Sequence, residues 1–428
     1  MIDDLRRKRS LDFFLFLTAL TLWVIGIFLV YSATYIHESG PLAGIYKQQI
    51  LWVVMALLIV VLIISIPARY ISKGAYIFYG MSLVLLVLAI ASGSGVTAKG
   101  AERWIMVGGF KIQPSEFAKV GLLLALAKRL SEKPVLLYDL PTLIVPVLLI
   151  LVPFALVLKQ PDLGTAMVFC VMALPMFYWS KLTLLDVFYV VSPLISLLLS
   201  AIPLLLAFNT GESWGVFEAV PWGLFFIVVI VLLYIFRAPL YIWIGVIAGN
   251  IATATVTTVV WGSVLKDYQK MRITSFMNPQ ADPFGSGYQV IQSKVAIGSG
   301  HIFGKGYLQG TQSRLSFLPE QHTDFIFSVL GEQFGLVGCT VVILLFAMLI
   351  VRGLLVTYSC RNRFINLTAI GCIAILGFHT FVNIAMTLGM TPVTGIPLPF
   401  LSYGGSFTMT VAILVGLLLN ARVADQDF

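Results

Sequence analysis

Long apolar stretches separated by short polar segments make up most of this chain, and their length predicts its fold. The first stretch extends from Leu11 to Tyr31, directly after the basic cluster Arg6–Arg9. The others lie at about 48–66, 75–91, 112–128, 141–158, 163–180, 184–208, 222–236, 239–262, 325–351, 364–388 and 403–421. Because a helix needs about 20 apolar residues to cross a bilayer, the pattern predicts an all-α polytopic membrane protein with about twelve transmembrane helices.

The composition excludes the soluble classes of protein. Of the 428 residues, 59% are apolar and only 11% are charged, and the mean hydropathy is +0.98. A soluble domain carries roughly 25% charged residues. The net charge of +8 does not indicate nucleic-acid binding, because the basic residues form small clusters between apolar runs. The four cysteines lie outside the predicted outer loops and the four histidines are scattered, so neither a disulfide framework nor a transition-metal site is predicted.

The basic clusters orient the predicted spans. Arg6–Arg9 place the N-terminus in the cytoplasm by the positive-inside rule, and the short basic loops at Arg69 and Arg361 fall on the same side. An even number of spans returns the C-terminus to the cytoplasm. The loop 263–324 is long enough to escape the charge rule and is predicted to be a large structured extracytoplasmic loop. No linker or repeat divides the chain, so residues 1–428 are predicted to form one membrane domain.

The most constrained part of this loop surrounds an acidic residue. Asp282 precedes a proline, which favours extended backbone at Asp282, and the glycines that follow allow a tight turn. A short helix, too short to span the membrane, is predicted over 288–297. Its polar residues are Gln289, Gln292, Ser293 and Lys294, and the first three share one face. A carboxylate on such a turn suits a general base, although an Asp before a Pro often only caps a turn.

Two further segments of the loop allow alternative interpretations. Gly298–Gly306 could cradle a phosphate with its free N–H groups, or it could be a flexible surface loop. Glu320, His322 and Asp324 could hold a divalent cation. Capping of the next helix by Thr323 or Asp324 explains those two residues without any function.

Other polar groups are predicted where spans end or begin. Glu116 and Lys119 lie one turn apart on a helix that Pro114 starts well. Such an intramembrane pair should neutralise itself and face a protein or water cavity, and a purely structural ion pair explains it equally. Trp104 is either an aromatic residue of the membrane interface or a residue that stacks on a sugar.

A third and a fourth site complete the set. Asp162 lies between two predicted spans, in the segment Lys159–Thr165. Pro and Gly in the segment Gly395–Ser406 predict broken backbone, which is tolerated at membrane depth only where protein buries it or a cavity adjoins it. If the helices bundle, all these sites converge on one cavity in the external leaflet.

Together these motifs resemble the SEDS family (shape, elongation, division and sporulation) over most of the chain. No single motif is decisive, but the ordered set is very specific. The motifs are Gly100–Trp104, Gln113–Glu116, Gln160–Ala166, Asp282–Ser293, Gly310–Ser313 and Phe317–Phe325. The last two look more like the rod-shape branch of the family than the division branch, FtsW.

The resemblance implies a peptidoglycan glycosyltransferase that polymerises lipid II into glycan strands on the outer face of the bacterial cytoplasmic membrane during cell elongation. It implies a class B penicillin-binding protein, a transpeptidase, as a partner, together with other membrane proteins of the elongation machinery. The essential Asp of the family carries over to Asp282, and its Glu–Lys pair carries over to Glu116 and Lys119.

The implied reaction suits these residue types. Asp282 would take the proton from the 4-hydroxyl of the acceptor sugar as that oxygen attacks C1 of the donor with inversion. The polyprenyl pyrophosphate leaving group needs cations, for which Lys119, Arg103, Lys294 and a divalent Mg²⁺ or Mn²⁺ are candidates. No organic cofactor is expected. The other residues expected at the substrate are Glu116, Trp104, Gln289, Gln292, Ser293, Asp162, Glu320, His322 and Asp324.

This chain departs from the family pattern in three places. The family usually has ten spans, so the surplus is interpreted as an extra helical pair within 184–262. His301 and Phe407 stand where the family often has Gly and Ser. Two other functions stay open: a flippase for lipid-linked precursors, which needs a polar path across the full membrane depth, and a non-catalytic scaffold for the transpeptidase.

Overall fold

The computed structural model describes most of the chain, in segments of unequal length. These are residues 12–35, 44–91, 103–107, 110–133, 135, 139–210, 219–264, 270, 279–281, 283, 285, 287–315 and 317–424. The predicted general base, Asp282, and the N-terminal basic cluster Arg6–Arg9 lie outside the described residues.

Helices dominate the described part of the chain. In chain order the elements are α1 (Phe13–Thr34), α2 (Ile45–Ser65), α3 (Ala68–Ala91), β1 (Ile105–Val107), β2 (Phe110–Ile112), α4 (Pro114–Glu132), α5 (Leu140–Lys159), α6 (Leu163–Trp179), α7 (Leu184–Thr210), α8 (Val220–Ile235), α9 (Leu240–Val259), α10 (Tyr288–Ser299), α11 (Thr311–Arg314), α12 (Ile326–Ser359), α13 (Arg363–Thr387) and α14 (Gly405–Ala424). One turn of π-helix extends α9 over Val260–Val264, and a 3₁₀ turn covers Pro279–Ala281.

Each apolar run of the sequence coincides with one of these helices, so the prediction of an all-α polytopic membrane protein is confirmed. Within the described ranges, nine helices are long and apolar enough to cross a membrane, and α6 and α8 are shorter apolar helices. Helix α4 has 19 residues and begins with Pro114 in its first turn, as predicted. It carries more charge than the other long helices because Glu116, Lys119 and a basic C-terminal turn all lie on it.

The chain forms two compact units. The first comprises residues 1–134, 144–180 and 292–428. Its interior is built by α4, α13 and α14, whose residues are mostly buried. Gly371 of α13 permits this packing, because a side chain there would collide with Leu123 of α4 and Met176 of α6. The peripheral helices α2 and α3 instead expose apolar side chains, as is expected of surfaces that face lipid.

The second unit comprises residues 135–143 and 181–291, and contains α7, α8 and α9. A small apolar core joins these helices, made of Tyr189, Val229, Leu233, Ile242 and Val246. Buried polar groups add hydrogen bonds: Asn250 donates to Ser192 Oγ at 2.9 Å, and the Trp222 indole donates to Ser196 Oγ at 2.6 Å. The predicted surplus pair within 184–262 falls in this unit. That two of its helices are surplus stays a prediction.

The Gly-rich segment after α10 packs against a break in helix α12. Helix α12 is broken at Gly335, which has φ +61°, and the segment supplies the hydrogen bonds that the break removes. The carbonyl of His301 accepts from the N–H of Leu336 at 2.9 Å, and Lys305 N–H donates to the Glu332 carbonyl at 3.0 Å. These hydrogen bonds satisfy backbone groups that would find no partner in the hydrocarbon of a membrane. His301 has φ +49°, a conformation that glycine adopts at no cost, which explains the glycine that resembling sequences often have there.

Candidate functional site

Lys119 lies at the centre of a buried polar cluster between α4 and α13. Its ammonium donates to Glu116 Oε1 at 2.9 Å, lies 3.1 Å from His379 Nε2 and sits 5.5 Å from the centroid of the Phe407 ring. Lys119 is 0% exposed, and Glu116 and His379 are 3% and 2% exposed. The predicted ion pair is therefore formed, and the ammonium has two hydrogen-bond acceptors and an aromatic ring around it. Lys119 is enclosed by protein and has no exposed surface from which to reach a ligand.

His379 connects this cluster to the broken segment before α14. An ammonium can only donate, so Nε2 of His379 accepts and Nδ1 carries the proton. That Nδ1 lies 3.3 Å from the carbonyl oxygen of Pro397. One turn along α13, Asn383 donates to the carbonyls of Ile396 and Asp324, both at 2.8 Å. The same face of α13 thus fixes two loop segments at once.

These two segments, 318–324 and 395–403, are called the paired segments below. Ser402 Oγ donates to the carbonyl of Thr323 at 2.6 Å, and the N–H of Tyr403 donates to the carbonyl of His322 at 2.9 Å. The Tyr403 phenol donates to Gln48 Oε1 at 2.5 Å. The Gly/Pro-rich segment is held by protein, as its composition predicts.

The paired segments carry Glu320, His322 and Asp324. Glu320 is exposed, whereas His322 and Asp324 are half-buried. The N-cap position of α12 is occupied by Phe325, so neither Thr323 nor Asp324 holds the capping position that was predicted for them. Within the part of the chain that the structure describes, no group of three or more His, Cys, Asp or Glu side chains is arranged to hold a metal ion. The divalent cation stays a prediction.

Asp162 and Arg103 lie together at the start of α6. Asp162 is the N-cap of α6 and accepts from the N–H of Thr165 at 3.1 Å. Arg103 donates through Nε to the carbonyl of Gln160 at 2.9 Å, and its NH1 lies 3.8 Å from Asp162 Oδ2. The Arg103 side chain remains 33% exposed, so this cation is accessible. Trp104 is half-buried beside it, ahead of the unpredicted hairpin in which Ile105 pairs with Ile112.

Helix α10 spans Tyr288–Ser299, close to the predicted range, and its polar residues differ in their surroundings. Ser293 is fully buried. Its hydroxyl lies 2.7 Å from Ser328 Oγ and donates to the carbonyl of Thr387 at 2.6 Å, so it fastens α10 to α13. Lys294 is exposed, and Gln292 is half-buried. Gln289 is also half-buried but belongs to the second unit.

Glu332 is a buried carboxylate that the sequence did not single out. It accepts from the N–H groups of Gln312 and Ser313 at 2.8 and 3.1 Å, and from Lys305 Nζ at 3.0 Å. A carboxylate at the start of a helix, here α11, is favoured by the free N–H groups there. Glu332 therefore anchors the segment that leads into the first of the paired segments.

These observations define a class of protein: a polytopic helical membrane protein with a charged cluster in its interior and a polar loop region fastened to that cluster. Comparison with known sequences gives the family. The family model described as "Cell cycle protein", for FtsW, RodA and SpoVE, matches residues 13–212 and 221–427. The chain belongs to this family.

The chain resembles individual members of the family over nearly its whole length. It is 37% identical to the peptidoglycan glycosyltransferase RodA of Treponema pallidum, over 98% of this chain and 99% of that one. It is 35% identical to the peptidoglycan glycosyltransferase MrdB of Escherichia coli K12, over 92% and 90% respectively. A solved structure described as "Structural coordination of polymerization and crosslinking by a peptidoglycan synthase complex" matches with a TM-score of 0.70, 27% identity and coverage of 98% and 99%.

Sequence reasoning missed His379, Asn383 and Glu332. One signal was available for the first two: His379, Asn383 and Thr387 recur at helical spacing within an apolar run, and polar residues there usually face protein. The partners of these residues lie far away in the sequence, so their contacts could not be inferred from spacing.

Proposed function

We propose that this protein is a peptidoglycan glycosyltransferase that polymerises lipid II into glycan strands during cell elongation. The observation that carries the proposal is its similarity, at 35–37% identity over more than nine-tenths of the chain, to relatives named for this activity. The fold gives a physical reason for an integral enzyme. A lipid-linked sugar keeps its tail in the bilayer, so a polar site fastened to buried helices can meet the sugar where the tail leaves the membrane.

In this mechanism Asp282 acts as the general base. It takes the proton of the acceptor 4-hydroxyl while that oxygen attacks C1 of the donor, and the C1–O bond to the polyprenyl pyrophosphate breaks with inversion. The sequence supports this role, because Pro283 favours extended backbone at Asp282 and Gly285 allows a tight turn.

The leaving pyrophosphate requires positive charge. Arg103 and Lys294 reach the surface of the protein, whereas Lys119 is enclosed by Glu116, His379 and Phe407. We therefore assign neutralisation of the pyrophosphate to Arg103, to Lys294 or to a bound divalent cation. Lys119 instead binds Glu116 and His379 in the interior of the protein.

We further propose a class B penicillin-binding protein as the partner, with both termini in the cytoplasm and Asp282 outside. The solved structure similar to this chain is described as a synthase complex that coordinates polymerisation with crosslinking, and this supports a transpeptidase partner. The orientation is supported by the basic residues at the N-terminus and in the short loops.

The test is polymerisation of labelled lipid II by the purified protein with its partner, comparing wild type with Asp282→Asn. The substitution keeps the shape of the side chain and removes its basicity, so we expect loss of polymer with unchanged folding and partner binding. Glu132→Gln, which removes an exposed carboxylate at the end of α4, is the matched control and should remain active. Substantial polymer from a well-folded Asp282→Asn protein would contradict the general-base role.

A further inference from the structure

The contact between His379 and Lys119 joins two helices that lie far apart in the sequence. Glu116 and Lys119 lie on α4, and Lys119 is 260 residues before His379 of α13. The imidazole accepts from the ammonium through Nε2, and its Nδ1 faces the carbonyl of Pro397. One ring therefore bridges a buried charge pair and the second of the paired segments.

Only one protonation state of the His379 ring fits its surroundings. An imidazolium would direct an N–H at the ammonium of Lys119, so the cluster requires a neutral ring that carries its proton on Nδ1. Phe407 covers the face of the ring, with centroids 5.0 Å apart, and His379 is 2% exposed. Within the described residues, Lys119 and Glu116 are the charged members of this cluster. The ring is thus locked in position and in tautomer.

The second of the paired segments has several other ties to the protein: Tyr403 bonds to His322 and Gln48, and the side chains of Leu398 and Phe400 are buried. Asn383 binds the carbonyl of Ile396, and Ser402 binds the first of the paired segments through Thr323. Pro397 and Pro399 lack an N–H, so the backbone between them has fewer donors with which to anchor itself. The tie at the carbonyl of Pro397 is one of several that set where this segment lies, and it leads to the buried charge pair.

We propose that His379 is a positioning residue: it links the segment 395–403 to the buried Glu116–Lys119 pair and thereby sets the position of the paired segments. His379 does not touch the substrate. The consequence for catalysis rests on the proposed glycosyltransferase function, whereas the structural link does not. Misplacement of supporting groups by about 1 Å can lower a rate by about a hundredfold.

The experiment compares three variants in the purified full-length protein. His379→Leu removes both hydrogen bonds, whereas His379→Gln retains an oxygen that can accept from Lys119 and an N–H that can donate to Pro397. Thr380→Val is the matched control, because Thr380 is the buried neighbour whose hydroxyl only bonds back to Leu376 of its own helix.

Two readouts separate this proposal from the proposed function. Hydrogen–deuterium exchange of peptides covering 395–403 should rise in His379→Leu and stay near wild type in His379→Gln and Thr380→Val. Lipid II polymerisation should fall at least about tenfold in His379→Leu, mostly through kcat, and recover in His379→Gln. Wild-type protein that makes no polymer would contradict the proposed function, and the exchange data would still decide the link.

Three results would overturn the proposal. One is unchanged exchange in His379→Leu. Another is equal loss in His379→Leu and His379→Gln, which would assign the effect to ring packing on Phe407. The third is equal loss in Thr380→Val, which would indicate general damage to the helix. If His379→Leu does not fold, His379→Gln decides the proposal. Wild-type exchange and wild-type activity in His379→Gln support it, and the loss of either contradicts it.

Discussion

At the residue scale, the ammonium of Lys119 is a charge that the protein encloses completely. Removing Glu116 alone leaves an unpaired buried cation, and removing Lys119 alone leaves an unpaired carboxylate. Breaking a buried pair in this way costs about 3–5 kcal/mol. We expect Glu116→Leu and Lys119→Met each to lower the free energy of unfolding by about this amount, measured by denaturation in detergent.

The double variant Glu116→Leu/Lys119→Met separates stability from activity. Because no buried charge remains, most of the lost stability should return. Polymerisation should remain at least about tenfold below wild type, because His379 has lost its donor. Lys133→Met removes a lysine at the exposed end of α4 and should change neither quantity. Full activity in the double variant would show that the pair only stabilises the fold.

At the scale of the element, the break in α12 depends on one glycine. A side chain at Gly335 would collide with the backbone of Gly304 and Ile302, and its φ of +61° is strained for any other residue. We expect Gly335→Ala to lower the melting temperature, with a cost of about 1–3 kcal/mol from the backbone conformation alone.

The control for this prediction is Gly245→Ala in α9. Nothing lies within 4 Å of the position that its Cβ would occupy. Alanine is favoured over glycine inside a helix by about 0.5–1 kcal/mol, so this variant should be neutral or stabilising. Equal melting temperatures for the two variants would indicate that the segment Gly298–Gly306 does not hold the break.

At the scale of the whole molecule, orientation decides whether Asp282 can meet its substrate. Nine predicted spans separate the basic N-terminus from the loop 263–324, which places that loop outside. Single cysteines at Gln280 and Ser131, in a variant lacking the four native cysteines, test this arrangement. A membrane-impermeant thiol reagent applied to cells with a permeabilised outer membrane should label position 280 and not position 131. The reverse pattern, or equal labelling, would overturn both the topology and the mechanism.

The positions of the helices and the Glu116–Lys119 pair followed from the sequence because both are local. An apolar run of about 20 residues determines a helix wherever it lies, and two residues one turn apart must share a face. The extent of α10 and the first turn of α4 were predictable for the same reason. The family resemblance also depends only on the order of motifs along the chain.

The tertiary structure decided the groups whose partners lie far apart in the chain. His379 meets Lys119 across 260 residues, and Ser293 contacts α13 across 94. The Gly-rich segment after α10 looked like an anion site because its N–H groups seemed available, but those of Lys305 and Gly306 donate to carbonyls at the break in α12. Periodicity shows which face of a helix is polar. It does not show which group that face meets, because side-chain contacts between helices are set by packing rather than by spacing.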